Sequence, residues 1–264
     1  MTAEVWEAQG KAMGLDKPLI VQYLVWVKNA AVGDFGDSVH FRRNSLDLIL
    51  KFLPATLQLS GISFLCALLI GIPLGVLSAV KRTTGWDYLG RSFALIGQAA
   101  PPFWIALVFI WIFSVYLGWL PTSRKGDWTH YVMPVIVLGW LPAAGLLRLT
   151  RSSMLEVLDS EYVKLARAKG VSTKVIIWKH AFRNSLIAPL TYAAILLANF
   201  LTGTVVVETV FAWPGLGRLS VMAALNTDFP LITGLALVFS VIFLLCSLVA
   251  DILYALLDPR IRIS

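Results

Sequence analysis

Charge is what this sequence has least of. Asp, Glu, Lys and Arg make up 14% of its 264 residues, where an ordinary soluble domain carries about 25%. The shortage is uneven, and five windows contain none of the four: Phe52–Val80 (29 residues), Ser92–Ser123 (32), Trp128–Leu147 (20), Asn184–Val207 (24) and Phe229–Ala250 (22). Each reaches the roughly 18 to 20 apolar residues that an α-helix needs to cross a bilayer. A buried helix of a soluble protein seldom stays uncharged that long, and five of them leave too little polar surface to coat the molecule. A soluble globule is excluded, and an all-α, polytopic transmembrane helical bundle is expected.

Other absences narrow the chemistry. The two cysteines, Cys66 and Cys246, both fall inside apolar windows, so no disulfide scaffold is expected and each thiol acts as a small apolar group. His40, His130 and His180 lie far apart without the Cys/His spacing that closes a metal site. No Asp, Glu, Lys or Arg lies near a midplane, where a proton-coupled carrier or ion pump usually keeps a titratable group. The phosphate-loop pattern G-x-x-x-x-G-K-[ST] is also missing. If the chain moves a solute uphill, the nucleotide chemistry belongs to another subunit.

The 22 Lys and Arg outnumber the 15 Asp and Glu, and their placement orients the spans. The first connection holds Lys81, Arg82 and Arg91, and the second Arg124 and Lys125. The third holds Arg148, Arg151, Lys164, Arg167, Lys169, Lys174, Lys179 and Arg183, the fourth Arg218 alone, and the tail Arg260 and Arg262. Alternate connections share a side, so thirteen basic residues collect on one face and three on the other. The positive-inside rule places the thirteen in the cytoplasm, with the C-terminus. Trp119, Trp128 and Tyr131 then anchor the opposite interface.

The same parity sends residues 1–51 to the outer face, although they carry Lys11, Lys17, Lys28, Arg42, Arg43 and Lys51 and no apolar run able to export them. Residues 1–17 lack the apolar core of a signal peptide. A preceding transmembrane helix, absent from the chain as written, is therefore expected; a polar tail carried across with the first span is the alternative.

Pro73, Pro101, Pro102, Pro134, Pro142 and Pro189 sit within the windows, with Gly61, Gly71, Gly75, Gly97, Gly139, Gly145 and Gly203. They predict kinks and close helix approach. In the long basic connection, Tyr162, Leu165 and Ala166 recur at i, i+3 and i+4, predicting a short amphipathic helix with Lys164, Arg167 and Lys169 on its other face. Gly170 stands where a helix C-cap would, and Ser172 can cap a second helix beyond it. Ala166 and Gly170 at i, i+4 would let a partner approach the backbone, flanked by Glu161. On residues alone this segment is equally a solvated charged loop or a docking knob.

The chain resembles the membrane-spanning permease subunits of ATP-binding-cassette importers, in the dipeptide, oligopeptide and nickel branch. The likeness rests on GLDKPLIVQYLVWV (14–27), GDFGDS (33–38), LPATLQL (53–59), IGIPLGVLSAV (70–80), LTRSSMLEVLDSEYVKLARAKG (149–170), HAFRNSLIAPLT (180–191), VVVETVFAWPGLGRL (205–219) and DILYALLDPRIR (251–262), eight motifs in order. It implies a type I importer permease of six helices, five of them visible, with an extracytoplasmic segment 1–51, a permease domain 52–257 and a cytoplasmic tail 258–264. The family's E-A-A-x-x-x-G pattern, which seats in a cleft of the ATPase, falls on Lys164, Leu165, Ala166 and Gly170, so only its last Ala and the Gly are kept. The resemblance makes 148–183 the coupling loop, with Ala166 and Gly170 as docking positions and Glu161, Tyr162, Arg167, Lys169 and Ser172 beside them. It sets Glu208, Pro214, Gly215 and Gly217 near the outer mouth, in a rigid turn with flexible exits; an ordinary connecting loop is the plainer reading.

The resemblance further implies a second, similar permease, two ATPase subunits that hold ATP and Mg, and an extracytoplasmic solute-binding protein. The chain itself would then sit in a bacterial or archaeal inner membrane, bind no cofactor, metal or nucleic acid and catalyse no covalent reaction. Rival readings are a stand-alone channel or carrier, a membrane-embedded enzyme and an inactive remnant. The first would need a midplane charge or polar ring, and the second a clustered acid, base or metal set.

Overall fold

The computed structural model describes residues 17–202 and 204–257; Lys11, Gly203, Arg260, Arg262 and the tail 258–264 lie outside them. Helix α1 (Leu19–Ala31) leads through an irregular segment to α2 (Ser45–Val80), α3 (Gly85–Ala99), α4 (Pro102–Phe109), a π-helical turn (Ile110–Tyr116) and α5 (Thr129–Leu158). The basic connection forms α6 (Glu161–Ala168), α7 (Thr173–Val175), a second π-helical turn (Ile176–Phe182) and α8 (Arg183–Ser185). Then come α9 (Ile187–Thr202), α10 (Thr204–Val210), α11 (Leu216–Leu225) and α12 (Phe229–Leu257). No strand occurs among the described residues.

Helices α2, α5 and α12 are each long and apolar enough to cross a bilayer. Asn44 starts α2 by accepting from the backbone of Leu46 at 2.9 Å and Asp47 at 3.4 Å, as an N-cap does. The window Ser92–Ser123, read as one span, is broken. Ala100 and Pro101 are extended, ψ 131° and 139°, and α4 leaves α3 at 108°. A residue before proline is driven out of the helical region, and two prolines in succession leave no donor to carry the ladder on. Helix α5 shows the opposite departure: it runs past the predicted limit Leu147 to Leu158, absorbing Arg148 and Arg151 into its last turns.

Contacts sort the chain into two ends. At one, Asp87 meets Ser78 and Arg151, and Arg82 lies 3.6 Å from Asp159. At the other, Gln58 accepts from Lys125, the Arg124 amide donates to the Phe211 carbonyl at 2.8 Å, and Trp213 donates to the Ala55 carbonyl at 3.0 Å. Helices α2 and α5 consequently run in the same direction, with α3 and α4 returning between them. Lys81, Arg82 and the Arg148–Arg183 connection share the first end, and Arg124, Lys125 and Arg218 the second, as the charge count anticipates.

The centre is the α2–α5 seam. A Cβ on Gly71 would stand 2.7 Å from the Ala143 carbonyl oxygen, and one on Gly75 would stand 2.6 Å from Thr150 Cβ and 2.7 Å from the Leu147 oxygen. Glycine is required there because the helix backbones touch, the usual device where lipid supplies no hydrophobic drive between helices. Against this pair, α3 packs through Gly90 and Gly97, and the Trp140 indole donates to the Phe93 carbonyl at 3.1 Å. Helix α12 packs on α9 but hides only 11% of its apolar window, so lipid or another subunit must cover it.

Replacing Gly75 by alanine forces these backbones apart and should cost about 1 to 3 kcal/mol, read as a lowered unfolding midpoint in detergent. Gly61→Ala, where the new methyl meets nothing within 4 Å, serves as the reference. Equal midpoints for the two variants would contradict the seam.

Candidate functional site

The basic connection folds as a knuckle seated on the ends of α2 and α5. Its apolar base is a buried cluster of Val76 and Ala79 from α2, Met154 and Leu158 from α5, Val163 from α6, and Ile176 and Ala181 from the second π-helical turn. Helix α6 starts where the Ser160 carbonyl accepts from the amides of Val163 and Lys164. It ends in a Schellman arrangement: Gly170 N donates to Arg167 O at 3.0 Å, Val171 N donates to Ala166 O at 3.1 Å, and Gly170 has φ +77°. That left-handed conformation is the reason for glycine.

The face that α6 buries differs from the one periodicity suggests. Val163 is fully covered and Ala166 partly so, whereas Tyr162 and Leu165 are 44% and 56% exposed. The cluster accepts a stripe only one turn wide, and Val163 with Ala166 at i, i+3 fills it, leaving the larger Tyr162 and Leu165 as an outward ridge. Arg167, Lys169, Gly170 and Ser172 are exposed around it, and Gly170 faces open space. Ala166 and Gly170 therefore do not form one bare patch, since Ala166 turns towards the core. Ser172 holds the N-cap position of α7 without a side-chain cap bond, its carbonyl accepting from Ile176. Glu161 pairs with Lys164 at 2.8 Å, both well exposed, a contact of little energetic weight. Asn184, which lies in the 180–191 motif but has no role predicted there, donates to Tyr162 Oη at 3.1 Å and to the His180 carbonyl at 2.9 Å, tying the ridge to α8.

Beside the knuckle lies a buried ion cluster that sequence reasoning missed. Asp87 is fully buried at the start of α3 and receives Arg151 of α5 at 2.8 and 3.1 Å, Arg91 one turn on, Ser78 Oγ of α2 at 2.7 Å and the Thr83 amide at 3.0 Å. The Arg151 guanidinium above all, then Arg91, Ser78 and Thr83, hold its carboxyl far below the usual carboxylate range. One carboxylate thus joins three helices at this end.

At the opposite end the turn after α10 is built around Glu208, which is also fully buried. Its oxygens accept from Thr56 Oγ1 at 2.7 Å and from the Arg218 amide at 3.1 Å, with Gly217 N and Thr204 as further donors. Thr56 Oγ1 in turn accepts from Leu216 N at 2.7 Å. The free N–H groups of the first turn of α11 are what the carboxylate satisfies. Gly215 and Gly217 are packing requirements rather than flexible exits: a Cβ on the first would meet the Glu208 carboxyl at 2.4 Å, and one on the second Val205 Cα at 2.6 Å. Pro214 is half-buried beside them. Glu208 is thus a brace between α2, α10 and α11 and is closed to solute.

A third carboxylate, Asp228, closes the same end. It accepts from Ser38 Oγ and from the amides of Val39 and His40 at 3.2 and 3.1 Å, fastening the segment after α1 to the start of α12. An acid directly before the Phe229–Pro230 helix start was the available signal. Between α2, α3, α4 and α5 lies an apolar cavity of about 410 Å³ walled by Cys66, Phe93, Phe109, Met133 and Trp140. Among the described residues no group of three or more His, Cys, Asp or Glu could hold a metal.

Asp87→Asn should leave Arg151 facing a neutral amide and cost on the order of 3 kcal/mol, measured by unfolding in detergent. A carboxyl with a depressed native pKa contributes fully above its unfolded value of about 4 and less as pH falls below it. The native protein should therefore lose stability below about pH 4 with a component that the variant lacks; identical acid limbs would refute the cluster.

The comparisons agree with this architecture. Residues 71–263 match the model for binding-protein-dependent transport system inner membrane components. The chain is 41% identical over 260 residues to an oligopeptide transport system permease protein of Bacillus subtilis (strain 168), with 94% of this chain and 82% of the relative covered. It is 37% identical to a dipeptide transport system permease protein of Alkalihalophilus pseudofirmus, over 95% of this chain and 84% of that one. To the glutathione transport system permease protein of Escherichia coli (strain K12) it is 41% identical, over 98% and 85%. Among solved structures, an amino acid ABC transporter aligns with a TM-score of 0.65 at 15% identity, covering 79% of this chain and 93% of that one. The inward-facing MetNI methionine ABC transporter aligns at 0.66 and 17%, covering 80% and 96%, and both support the type I importer permease fold. With its paired spans, basic knuckle and braced opposite end, the chain belongs to the family of binding-protein-dependent transport system inner membrane components.

Proposed function

We propose that the chain is the permease subunit of an ATP-binding-cassette importer that passes peptides or related small solutes across a bacterial or archaeal cytoplasmic membrane. The observation that carries the substrate class is the extended identity to oligopeptide, dipeptide and glutathione permeases along nearly the whole chain. Its partners in this reading are a second, similar permease, two ATPase subunits that hold ATP and Mg, and an extracytoplasmic solute-binding protein. The basic end faces the cytoplasm by the positive-inside rule, and α12 ends there.

In this mechanism residues 148–183 couple the engine to the gate. The outward ridge Tyr162–Leu165, with Arg167, Lys169, Gly170 and Ser172 around it, meets the ATPase, and Glu161 flanks the contact. Val163 and Ala166 sit on the ends of α2 and α5, so a displacement of the knuckle is delivered to the central seam instead of dissipating in a loop. The Glu208 brace and the Pro214–Gly217 turn hold the outer ends of α2, α10 and α11 together, so that end moves as a body. Alternating access then arises from rocking about the permease–permease interface, with the ATPases' closure selecting the outward-open state. No covalent step falls to this chain.

The test is uptake of a labelled peptide by cells that express the binding protein, both permeases and the ATPases. Leu165→Asp changes an exposed side chain and should lower uptake more than about tenfold, a loss of about 1.4 kcal/mol of coupling or more, with membrane insertion and thermal stability unchanged. Val163→Asp should instead unfold the knuckle, because it buries an unpaired charge. Normal uptake by the Leu165 variant would overturn the docking assignment, and uptake by the chain without ATPases would overturn the importer reading.

A further inference from the structure

Helix α1 stands apart from the core. None of its 13 residues is buried. Gln22, Trp26, Ala30 and the nearby Gly33 recur at helical spacing and are half-covered, while the neighbouring side is open: Ile20 is 75% exposed, Tyr23 63%, Leu24 60% and Val27 39%, with Leu19, Val21 and Val25 exposed as well. Ile20, Tyr23, Leu24 and Val27 lie contiguously on a helical surface of 3.6 residues per turn, so the exposed side is a continuous apolar strip. At about 1.5 Å per residue the helix is roughly 20 Å long, well short of the hydrocarbon core.

The segment C-terminal to α1 fixes the helix in place. Gly33 N donates to Ala30 O and Asp34 N to Asn29 O, turning the chain directly into the Phe35–Phe41 segment. Phe35 lies against Gly234, where an added Cβ would stand 3.0 Å from its ring, and Gly36 lies beside Pro230. Asp228 then holds Ser38, Val39 and His40. Phe229 opens the charge-free stretch of α12, and Phe52 opens that of α2 seven residues into the helix. The end of α1 is thereby tied to a segment that packs on the first turns of α12, where charge-free stretches of two spans begin. Lys17 and Lys28 stand at the two ends of the helix, and exposed Tyr23 stacks on half-covered Trp26 with centroids 6.3 Å apart, residue types that favour the membrane–water boundary.

We propose that α1 is an interfacial membrane anchor, laying its Ile20–Leu24–Val27 side into the headgroup–acyl boundary of the phospholipid leaflet at the end opposite the basic knuckle. The partner is the lipid surface itself. Binding of α1 rests mainly on apolar area, with Lys17 and Lys28 attracted to anionic headgroups.

The proposal is tested with the full chain, Cys66 and Cys246 replaced by serine, in vesicles of phosphatidylethanolamine and phosphatidylglycerol. An environment-sensitive fluorophore is placed at Leu24→Cys or at Asn29→Cys, and nitroxide lipids carry the quencher near the headgroup or at the acyl-chain end. Leu244→Cys on exposed α12, quenched by the deep nitroxide, establishes insertion. At Leu24 the shallow nitroxide should quench at least about twofold more than the deep one, as a helix buried about 5 to 10 Å requires, with iodide quenching weaker than at Asn29. Equal iodide quenching at the two positions would place α1 in water, and stronger deep quenching would place it across the core. Shielding from lipid and iodide together would mean that protein covers it. Any of these three results overturns the proposal.

Discussion

The fold depends on two parallel helices being able to touch. Water drives helices together by hiding apolar surface, but acyl chains are as apolar as leucine, so α2 and α5 associate only if many atoms meet at close range. Gly71 and Gly75 make that possible by removing the side chains that would hold the backbones apart. Everything else is attached to this pair. Helix α3 packs against α2 through Gly90 and against α5 through Gly97, the Asp87 cluster joins Ser78 of α2 to Arg151 of α5, and the Glu208 brace reaches α2 through Thr56.

The position of the knuckle is set by the same pair. A loop that floated on long linkers could bind a partner yet transmit nothing. Here α6 is short, capped at both ends by backbone contacts, and seated on Val76, Ala79, Met154 and Leu158. Its buried side is narrow, so nearly all of its surface stays exposed while its base is fixed to both central helices. Strong seating and wide exposure coexist because Val163 is the one side chain that is driven fully inside.

Much of this was legible in the residues, and the failures have physical reasons. Five charge-free windows reported the apolar segments because the bilayer forbids charge there, although among the described residues three helices are by themselves long and apolar enough to cross, and a fourth crossing needs the bent α3–α4 pair. The alternation of basic residues reported the two ends for a similar reason. The break at Pro101 was visible only as a kink, since the size of a bend is decided by what the flanking helices pack against. Asp87 and Arg91 stand four apart, as an ordinary surface pair would; Arg151, which makes the site a buried junction, is 64 positions away and has no local signature. Gly215 and Gly217 suggested flexibility because turn glycines often do, but the Glu208 carboxylate that fills the space above them comes from the preceding helix. Leu165 outranked Val163 as a core candidate on hydrophobic spacing, and the shape of the receiving cluster reversed the order.

The three buried carboxylates have a pattern in common. Asp87 precedes the second charge-free window by five residues, Glu208 directly follows the fourth and Asp228 directly precedes the fifth. An ionised group cannot be afforded at the midplane, yet directional bonds are needed to fix helices in register, so they gather at the two planes where hydrocarbon ends. Between those planes the bundle is held by small-residue contacts and dispersion, which are short-ranged but include no directional bond that must break when one helix tilts against another. Such a division stiffens the ends and leaves the middle compliant. That is the mechanical requirement of the proposed alternating access.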